Sequence, residues 1–209
     1  MAEPKSFAIF GLGRFGTSIV THLSTHDVEI LACDKNVARV EEISDIVDQA
    51  VAGDASDEEF LKRVEVNHFD VVVFAMGEQF ETAVMATLSA KELGCKRVVV
   101  KALTDRQAEI LKRVGADRVV LPEVEMGAKV ARSLLNPSIL DVFNAVDGIS
   151  ITERHPEPEW VGKTLTDADV RRTANISIIG MIRDGKTSIP VRTDETLRED
   201  DVLLTLDNE

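Results

Sequence analysis

Gly11-Leu12-Gly13-Arg14-Phe15-Gly16 stands near the amino terminus and sets the architecture of the chain. It follows an apolar run over Ser6 to Phe10 and precedes apolar residues at helical spacing, which predicts a strand, a glycine turn and a helix. A second predicted strand, Glu29 to Cys33, ends at Asp34, 18 residues after Gly16. Three glycines at this spacing, with an acid closing the next strand, form the dinucleotide-binding fingerprint.

Each residue of this fingerprint has a physical role. Gly11 permits the tight turn, Gly13 lets phosphates approach the backbone, and Gly16 lets the helix pack closely on the strand. The free N–H groups and the dipole at the helix start favour an anion. Asp34 would accept hydrogen bonds from ribose hydroxyls and repel a 2′-phosphate, which disfavours NADP. A glycine turn that serves only the fold remains the alternative.

The first 136 residues continue to alternate between strands and helices. Val71 to Ala75 is apolar at every position, as in strands that helices cover on both faces of the sheet. Six such strands predict an α/β fold, a Rossmann-like doubly wound parallel sheet with strand order 3-2-1-4-5-6. The other predicted elements are strands at Gln49–Ala52, Val98–Val100 and Arg118–Leu121, and helices at Val37–Ile43, Asp57–Val64, Phe80–Leu93, Asp105–Val114 and Met126–Leu135.

The pattern changes after residue 136. Residues 137–147 carry Ile139, Leu140, Val142 and Phe143, which predicts a connecting helix with one apolar face. Residues 148–209 predict a small α+β domain. Its predicted elements are strands at Ile149–Glu153, Ile176–Ile182, Thr187–Val191 and Val202–Leu206, and one short helix at Leu165–Val170.

Further candidate residues follow the predicted strands at their carboxyl ends, where such folds bind ligands. Arg14 can fork onto a terminal phosphate or point to solvent. Asp54 and Ala55 can edge an adenine, although Asp54 or Ser56 could equally cap a helix. The candidate nucleotide-binding residues are Gly11, Gly13, Arg14, Phe15, Gly16, Asp34, Lys35, Asp54, Ala55, Ala75, Met76, Gly77, Lys101 and Glu123.

Composition and motifs exclude other functions. The 209 residues carry 24 Lys and Arg against 37 Asp and Glu, with one Trp and no Tyr, so we expect no nucleic-acid partner. No apolar run approaches the ~20 residues that span a bilayer, and two cysteines without a disulfide pattern indicate a cytoplasmic protein. The sequence lacks GxSxG, HExxH and CxxC, and the remaining residues are too few for a typical substrate domain. We therefore predict that the protein is not an enzyme; a small NAD-dependent oxidoreductase is the alternative.

The chain resembles the RCK family, the cytosolic gating subunits of bacterial potassium uptake systems of the Ktr and Trk type, and is most similar to the Ktr type. The resemblance covers almost the whole chain. It rests on the hexapeptide 11–16, Asp34, Gly115-Ala116-Asp117-Arg118, Pro122-Glu123, Met126-Gly127 and, in the carboxyl-terminal part, Asp169-Val170-Arg171.

The resemblance implies ATP and ADP as ligands, with NAD or NADH in a Trk-type regulator as the alternative. Arg14 would contact the distal phosphates, Asp34 the ribose, and Glu123 a Mg or Ca ion at a homodimer interface. Dimers would assemble into an octameric ring beneath a KtrB- or TrkH-like membrane subunit, at the inner face of the cell membrane. Several family members also bind cyclic di-AMP between two carboxyl-terminal domains, and the matching positions here are Arg171, Ile178 and Pro190.

Overall fold

The computed structural model describes residues 5–135, 139–146 and 149–208, and the chain divides into two compact units, residues 1–124 and 125–209. The sequence prediction placed the end of the first domain later, at residue 136. Residues 136–138 and 147–148, which include parts of the predicted connection, lie outside the described residues.

The first unit contains a six-stranded parallel sheet in the order β3-β2-β1-β4-β5-β6. This confirms the doubly wound Rossmann-like fold that the sequence predicted. The strands are β1 (Lys5–Phe10), β2 (Val28–Asp34), β3 (Gln49–Ala52), β4 (Val71–Phe74), β5 (Val98–Lys101) and β6 (Arg118–Val120). The helices are α1 (Arg14–Leu23), α2 (Val37–Ile43), α3 (Glu58–Arg63), α4 (Phe80–Glu92), α5 (Asp105–Val114) and α6 (Pro122–Leu135), which continues into the second unit.

Apolar side chains fill both faces of this sheet. Along β1, Ala8 and Phe10 pack into the core that α3, α4 and α5 cover, whereas Ile9 packs into the core that α1 and α2 cover. Successive side chains of a strand point to opposite faces, so a strand covered on both sides is apolar throughout. Cys33 and Cys95 are buried and free, and burial raises the pKa of Cys33 to about 12.

Polar side chains cap the starts of some helices of the first unit, among them α2 and α3. Asn36 accepts a hydrogen bond from the Ala38 amide at the start of α2, and Asp57 accepts one from the Glu59 amide at the start of α3. Each bond satisfies an amide that has no partner within its helix. The sequence offered Asp54 or Ser56 as the cap of α3, and the structure assigns that role to Asp57.

The second unit contains a five-stranded antiparallel sheet in the order β10-β9-β11-β8-β7. Trp160, Met181, Leu197 and Leu203 are among the residues of its separate apolar core. The elements are β7 (Ile139–Val146), β8 (Ile149–Arg154), α7 (Leu165–Ala168), α8 (Val170–Ala174), β9 (Ser177–Arg183), β10 (Lys186–Ser188) and β11 (Val202–Asn208). The predicted small α+β domain is thus confirmed.

The prediction of a connecting helix over residues 137–147 is wrong for its described part. Ile139–Val146 forms β7, which pairs with β8 in an antiparallel ladder. The four apolar residues Ile139, Leu140, Val142 and Phe143 fit a helical face and a strand almost equally well. β-branched and aromatic residues favour the strand, and β8 follows closely enough in the chain to satisfy its backbone hydrogen bonds.

Two smaller differences also concern the second unit. The helix predicted over Leu165 to Val170 is two short helices, because Asp169 adopts a left-handed conformation with φ +43° between α7 and α8. The strand predicted at Thr187 to Val191 is confined to β10, which ends at Ser188. Pro190 has no amide hydrogen to donate to a ladder, which disfavours a longer strand there.

No helix among the described residues is long and apolar enough to cross a membrane. The longest of them, α6, has 14 residues and carries charged side chains. A bilayer-spanning helix needs about 20 predominantly apolar residues.

A buried ion-pair network holds the second unit together at the carboxylate of Asp201, which is 0% exposed. Arg183 donates from Nε to Oδ1 and from Nη2 to Oδ2 of Asp201, both at 2.6 Å, and the Arg198 amide donates to Oδ2 at 2.8 Å. Burial alone raises the pKa of Asp201, but these hydrogen bonds outweigh it and hold the pKa below its ordinary value.

We predict that Asp201→Asn lowers the free energy of unfolding by about 3 kcal/mol at pH 7, because it replaces the buried carboxylate that accepts two hydrogen bonds from Arg183 by a neutral amide and leaves Glu195 as the charged partner of that guanidinium. Calorimetric unfolding of the full chain measures this loss. The native pKa is depressed, so the contribution of Asp201 is present above the unfolded pKa of about 3.9 and decreases below it. The difference in the free energy of unfolding between wild type and variant should therefore decrease as the pH falls below about 4.

Asp194→Asn is the matched control, because Asp194 pairs with Arg192 at 2.9 Å but its side chain is 70% exposed. An exposed ion pair contributes about 0–1 kcal/mol, so this variant should unfold nearly as the wild type does. Equal losses in the two variants would contradict the role assigned to the Asp201 network.

Candidate functional site

The glycine turn between β1 and α1 is packed against the backbone at two of its three glycines. Gly11 has φ +93°, a left-handed conformation that favours glycine, and its amide donates to the Cys33 carbonyl at 2.8 Å. A Cβ on Gly16 would lie 1.9 Å from the Gly11 carbonyl oxygen and 3.2 Å from the Cβ of Ala75. Gly16 is therefore required for the close approach of α1 to the sheet.

Gly13 differs from these two glycines. It precedes α1 with φ −76°, a value that any residue adopts, and a Cβ there would meet nothing within 4 Å. The protein itself therefore gives no steric reason for a glycine at this position. A glycine that leaves open space at a helix start suits a ligand that approaches the backbone, and the amide groups there favour a phosphate.

Asp34 lies at the carboxyl end of β2 and is 7% exposed. Its Oδ2 accepts a hydrogen bond from the Leu12 amide at 2.6 Å, and its Oδ1 accepts one from the Asn36 amide at 2.8 Å. Nη1 of Arg39 lies 3.5 Å from Oδ2. The acid of the fingerprint thus holds the glycine turn in place as well as closing the strand.

The turn after β3 supplies a second acid at the same edge of the sheet. Asp54 is exposed and accepts hydrogen bonds at Oδ1 from the amide and the hydroxyl of Ser56, at 2.9 and 2.7 Å. These bonds, with the charge of Lys35, lower the pKa of Asp54. The side chain of Ala55 is instead buried in the core, so any contact of this residue with a ligand must come from its backbone.

Lys101, Glu123 and Phe15 meet on the other side of the glycine turn. Lys101 is only 12% exposed in its side chain, and its Nζ donates to Oε1 of Glu123 at 2.7 Å and lies 5.6 Å from the centre of the Phe15 ring. A Cβ on Gly77 would meet the methylene groups of Lys101 at 3.2 Å. The hydrogen bond from Lys101 is the main cause that lowers the pKa of Glu123, and the charge of Arg14 acts in the same direction.

The carboxyl edge of the sheet therefore brings together the residues that the sequence predicted for a nucleotide. Ala75 and Met76 pack behind the glycine turn, where the Met76 amide would be 3.1 Å from a Cβ on Gly11. Lys35 and Arg14 are exposed at this edge. The described residues hold no group of three or more His, Cys, Asp or Glu side chains that could bind a metal ion, and Glu123 faces Lys101.

The residues matched to cyclic di-AMP binding belong to the second unit. Arg171 is exposed on α8, Ile178 is partly buried in β9 against the core, and Pro190 is exposed after β10. The side chain of Ile189 packs against β9 at Gly180, because a Cβ on Gly180 would lie 2.9 Å from the Ile189 side chain.

Sequence reasoning missed two contributors to the site, the Leu12 amide and Arg39. A backbone amide has no sequence signal of its own. Arg39 did have a sequence signal. It is the third residue of α2, and the dipole at a helix start disfavours a cation there. A cation in that position, five residues after the fingerprint acid, indicates a role outside the helix.

Comparisons with known proteins agree with this architecture. Residues 7–122 match the TrkA-N domain and residues 152–204 match the TrkA-C domain. The Ktr system potassium uptake protein C of Bacillus subtilis (strain 168) is 34% identical over 202 residues, which cover 97% of this chain and 91% of that protein. The Ktr system potassium uptake protein A of Vibrio alginolyticus is 35% identical over 179 residues, covering 86% and 81%.

Solved structures of the GsuK channel have a similar fold. The GsuK channel bound to NAD superimposes with a TM-score of 0.69 at 16% identity, covering all of this chain and 38% of that one. GsuK bound to ADP gives a TM-score of 0.53 at 24% identity, covering 64% and 34%. At these identities the likeness concerns the fold alone, and this chain spans little more than a third of those channel chains.

We predict losses of different size for alanine at Gly16 and at Gly13, the last two glycines of the motif. Gly16→Ala should lower the free energy of unfolding by about 2–3 kcal/mol, because its Cβ meets a backbone oxygen that cannot move aside cheaply. Gly13→Ala should cost less than about 1 kcal/mol, the ordinary loss at a helix N-cap. Thermal unfolding of both variants measures the difference, and equal losses would contradict it.

Proposed function

The chain belongs to the family of proteins that join a TrkA-N domain to a TrkA-C domain, and from this membership we propose that it regulates potassium transport as a nucleotide-binding subunit. Its relatives of the Ktr system are potassium uptake proteins by name. The proposal is for a cytoplasmic regulator without catalytic activity of its own, associated with a membrane transporter subunit.

One observation carries the nucleotide part of this proposal: the glycine turn leaves open space at Gly13 beside a helix start, between an acid and a group of cations. Amide groups at the start of α1 would hold the phosphates next to Gly13. Asp34 would accept a hydrogen bond from the ribose on one side. Arg14 and Lys101 would neutralise the distal phosphates on the other side.

ATP and ADP are the ligands we favour. ATP carries one more phosphate than ADP, so Arg14 would bind the two nucleotides with different strength. A ligand shifts a protein between two shapes only by its differential affinity for them, and about 1–3 kcal/mol per site is typical of such coupling. NAD or NADH is the second candidate, because the fold neighbour GsuK has been solved with NAD as well as with ADP.

Glu123 is the candidate ligand of a divalent cation. The Glu123 side chain is 59% exposed, and its Oε1 accepts a hydrogen bond from Nζ of Lys101 at 2.7 Å. A Mg or Ca ion would have to replace Lys101 as the partner of Glu123, and a bound polyphosphate would draw Lys101 toward itself. Cation binding at Glu123 should therefore depend on the nucleotide.

The proposed assembly follows the family. Homodimers of the first unit would join into an octameric ring, and the ring would bind a KtrB- or TrkH-like membrane subunit. Apolar side chains on α6 that are exposed in the single chain, such as Met126 and Val130, offer surface for contacts between copies. Arg171, Ile178 and Pro190 would form a cyclic di-AMP site between two copies of the second unit. Native mass spectrometry with and without each nucleotide tests the assembly.

Titration calorimetry with ATP, ADP and NADH on the full chain tests the ligand. We predict that Arg14→Ala weakens ATP binding by about tenfold, and ADP binding by clearly less, because it removes a charge-assisted hydrogen bond to the distal phosphate. Arg113→Ala is the control, since Arg113 is exposed at the end of α5 and pairs with Glu109. Tight NADH binding without ATP or ADP binding would instead support an NAD-responsive regulator.

We also predict that Glu123→Gln abolishes the effect of Mg²⁺ or Ca²⁺ on ATP affinity, because a neutral amide is a weak ligand for a hard cation. The measurement is ATP titration with and without the cation in wild type and variant. Glu125→Gln, two residues further along α6, is the matched control and should keep the cation effect. A cation effect that survives in Glu123→Gln would place the ion elsewhere.

A further inference from the structure

The two oxygens of Asp34 are already engaged with donors of the protein. Oδ2 accepts from the Leu12 amide at 2.6 Å and faces Arg39 at 3.5 Å, while Oδ1 accepts from the Asn36 amide at 2.8 Å. A carboxylate offers about four lone-pair positions, two on each oxygen. Each oxygen therefore accepts one hydrogen bond from a backbone amide and can accept one more, and Oδ2 also lies beside the positive charge of Arg39.

Arg39 is the neighbour with spare capacity. Its side chain is 50% exposed, and its contact with Asp34 is the one ion pair that it makes among the described residues. A guanidinium has five N–H donors, so most of those of Arg39 remain available at this corner of the site. The first turn of α2 contains no acid, and a cation there opposes the helix dipole, so the helix itself gives no reason for Arg39.

A ribose hydroxyl both donates and accepts a hydrogen bond, whereas a carboxylate only accepts and a guanidinium only donates. Asp34 and Arg39 lie side by side and together complement both functions of one hydroxyl. At the carboxyl end of the second strand of such folds, that hydroxyl is the 2′-hydroxyl of the adenosine ribose. Resting on the proposed function, we infer that Arg39 donates a hydrogen bond to the 2′-hydroxyl oxygen of the bound adenine nucleotide and makes the site select ribose over 2′-deoxyribose.

The test compares ADP with 2′-deoxyADP and 3′-deoxyADP by titration calorimetry on the full chain. Wild type should bind 2′-deoxyADP about tenfold more weakly than ADP, the loss of hydrogen bonds to charged groups. In Arg39→Ala this ratio should fall to about threefold, because the donor to the hydroxyl oxygen is gone while Asp34 can still accept from the hydroxyl. Arg39→Lys, which keeps a charged donor, should retain most of the discrimination.

Arg113→Ala serves again as the control and should keep the wild-type ratio. A merely structural role of Arg39 would weaken ADP and 2′-deoxyADP equally, so an unchanged ratio in Arg39→Ala overturns the inference. A ratio that changes for 3′-deoxyADP but not for 2′-deoxyADP overturns it as well. If wild type binds none of the three nucleotides, whether or not it binds NADH, the proposed ATP and ADP function fails together with this inference. ADP binding without the Arg39 effect rejects this inference alone.

Discussion

The hydrogen bond from the Leu12 amide to Asp34 links two elements of the candidate nucleotide site, the glycine turn and the carboxyl end of β2. At 2.6 Å, between a buried carboxylate and a backbone amide, it fixes the glycine turn to the end of β2. Displacing the turn would remove the amide donor from the buried carboxylate of Asp34, which would cost free energy. Gly13 follows Leu12 directly and caps α1, so this bond also fixes where α1 begins. The acid of the fingerprint is thus a structural element before any ligand arrives.

Ion pairs flank the turn on both sides, and in the proposed site each pair would respond differently to a nucleotide. Arg39 and Asp34 lie on the side proposed for the ribose, where both charges could act on one hydroxyl without separating. Lys101 and Glu123 lie on the side proposed for the phosphates, where a polyphosphate would compete with Glu123 for the ammonium group. Glu123 is the second residue of α6, so such an exchange would change the charge balance at the start of that helix.

Much of this could be predicted from sequence because the signals are local. The glycine spacing, the acid at Asp34 and the alternation of apolar runs predicted the sheet order, which the structure confirms, and the carboxyl edge as the candidate nucleotide site. The pairing of Lys101 with Glu123 was not predictable, since 22 residues separate them and only the fold brings them together. The strand β7 was missed because its apolar residues at 139, 140, 142 and 143 fit both a helical and a strand periodicity, and its pairing with β8 decides between them.

Gly13 and Gly16 separate what the protein requires from what the ligand requires. Any side chain at residue 16 would collide with the Gly11 carbonyl, so the fold alone accounts for that glycine. At residue 13 a Cβ would meet nothing, and a backbone with φ −76° accepts any residue. Glycine is an acceptable N-cap residue, but Ser, Asn and Asp cap a helix at least as well and would meet no clash here. Packing within the protein therefore does not account for the glycine, and we propose that its open space serves a phosphate at the start of α1.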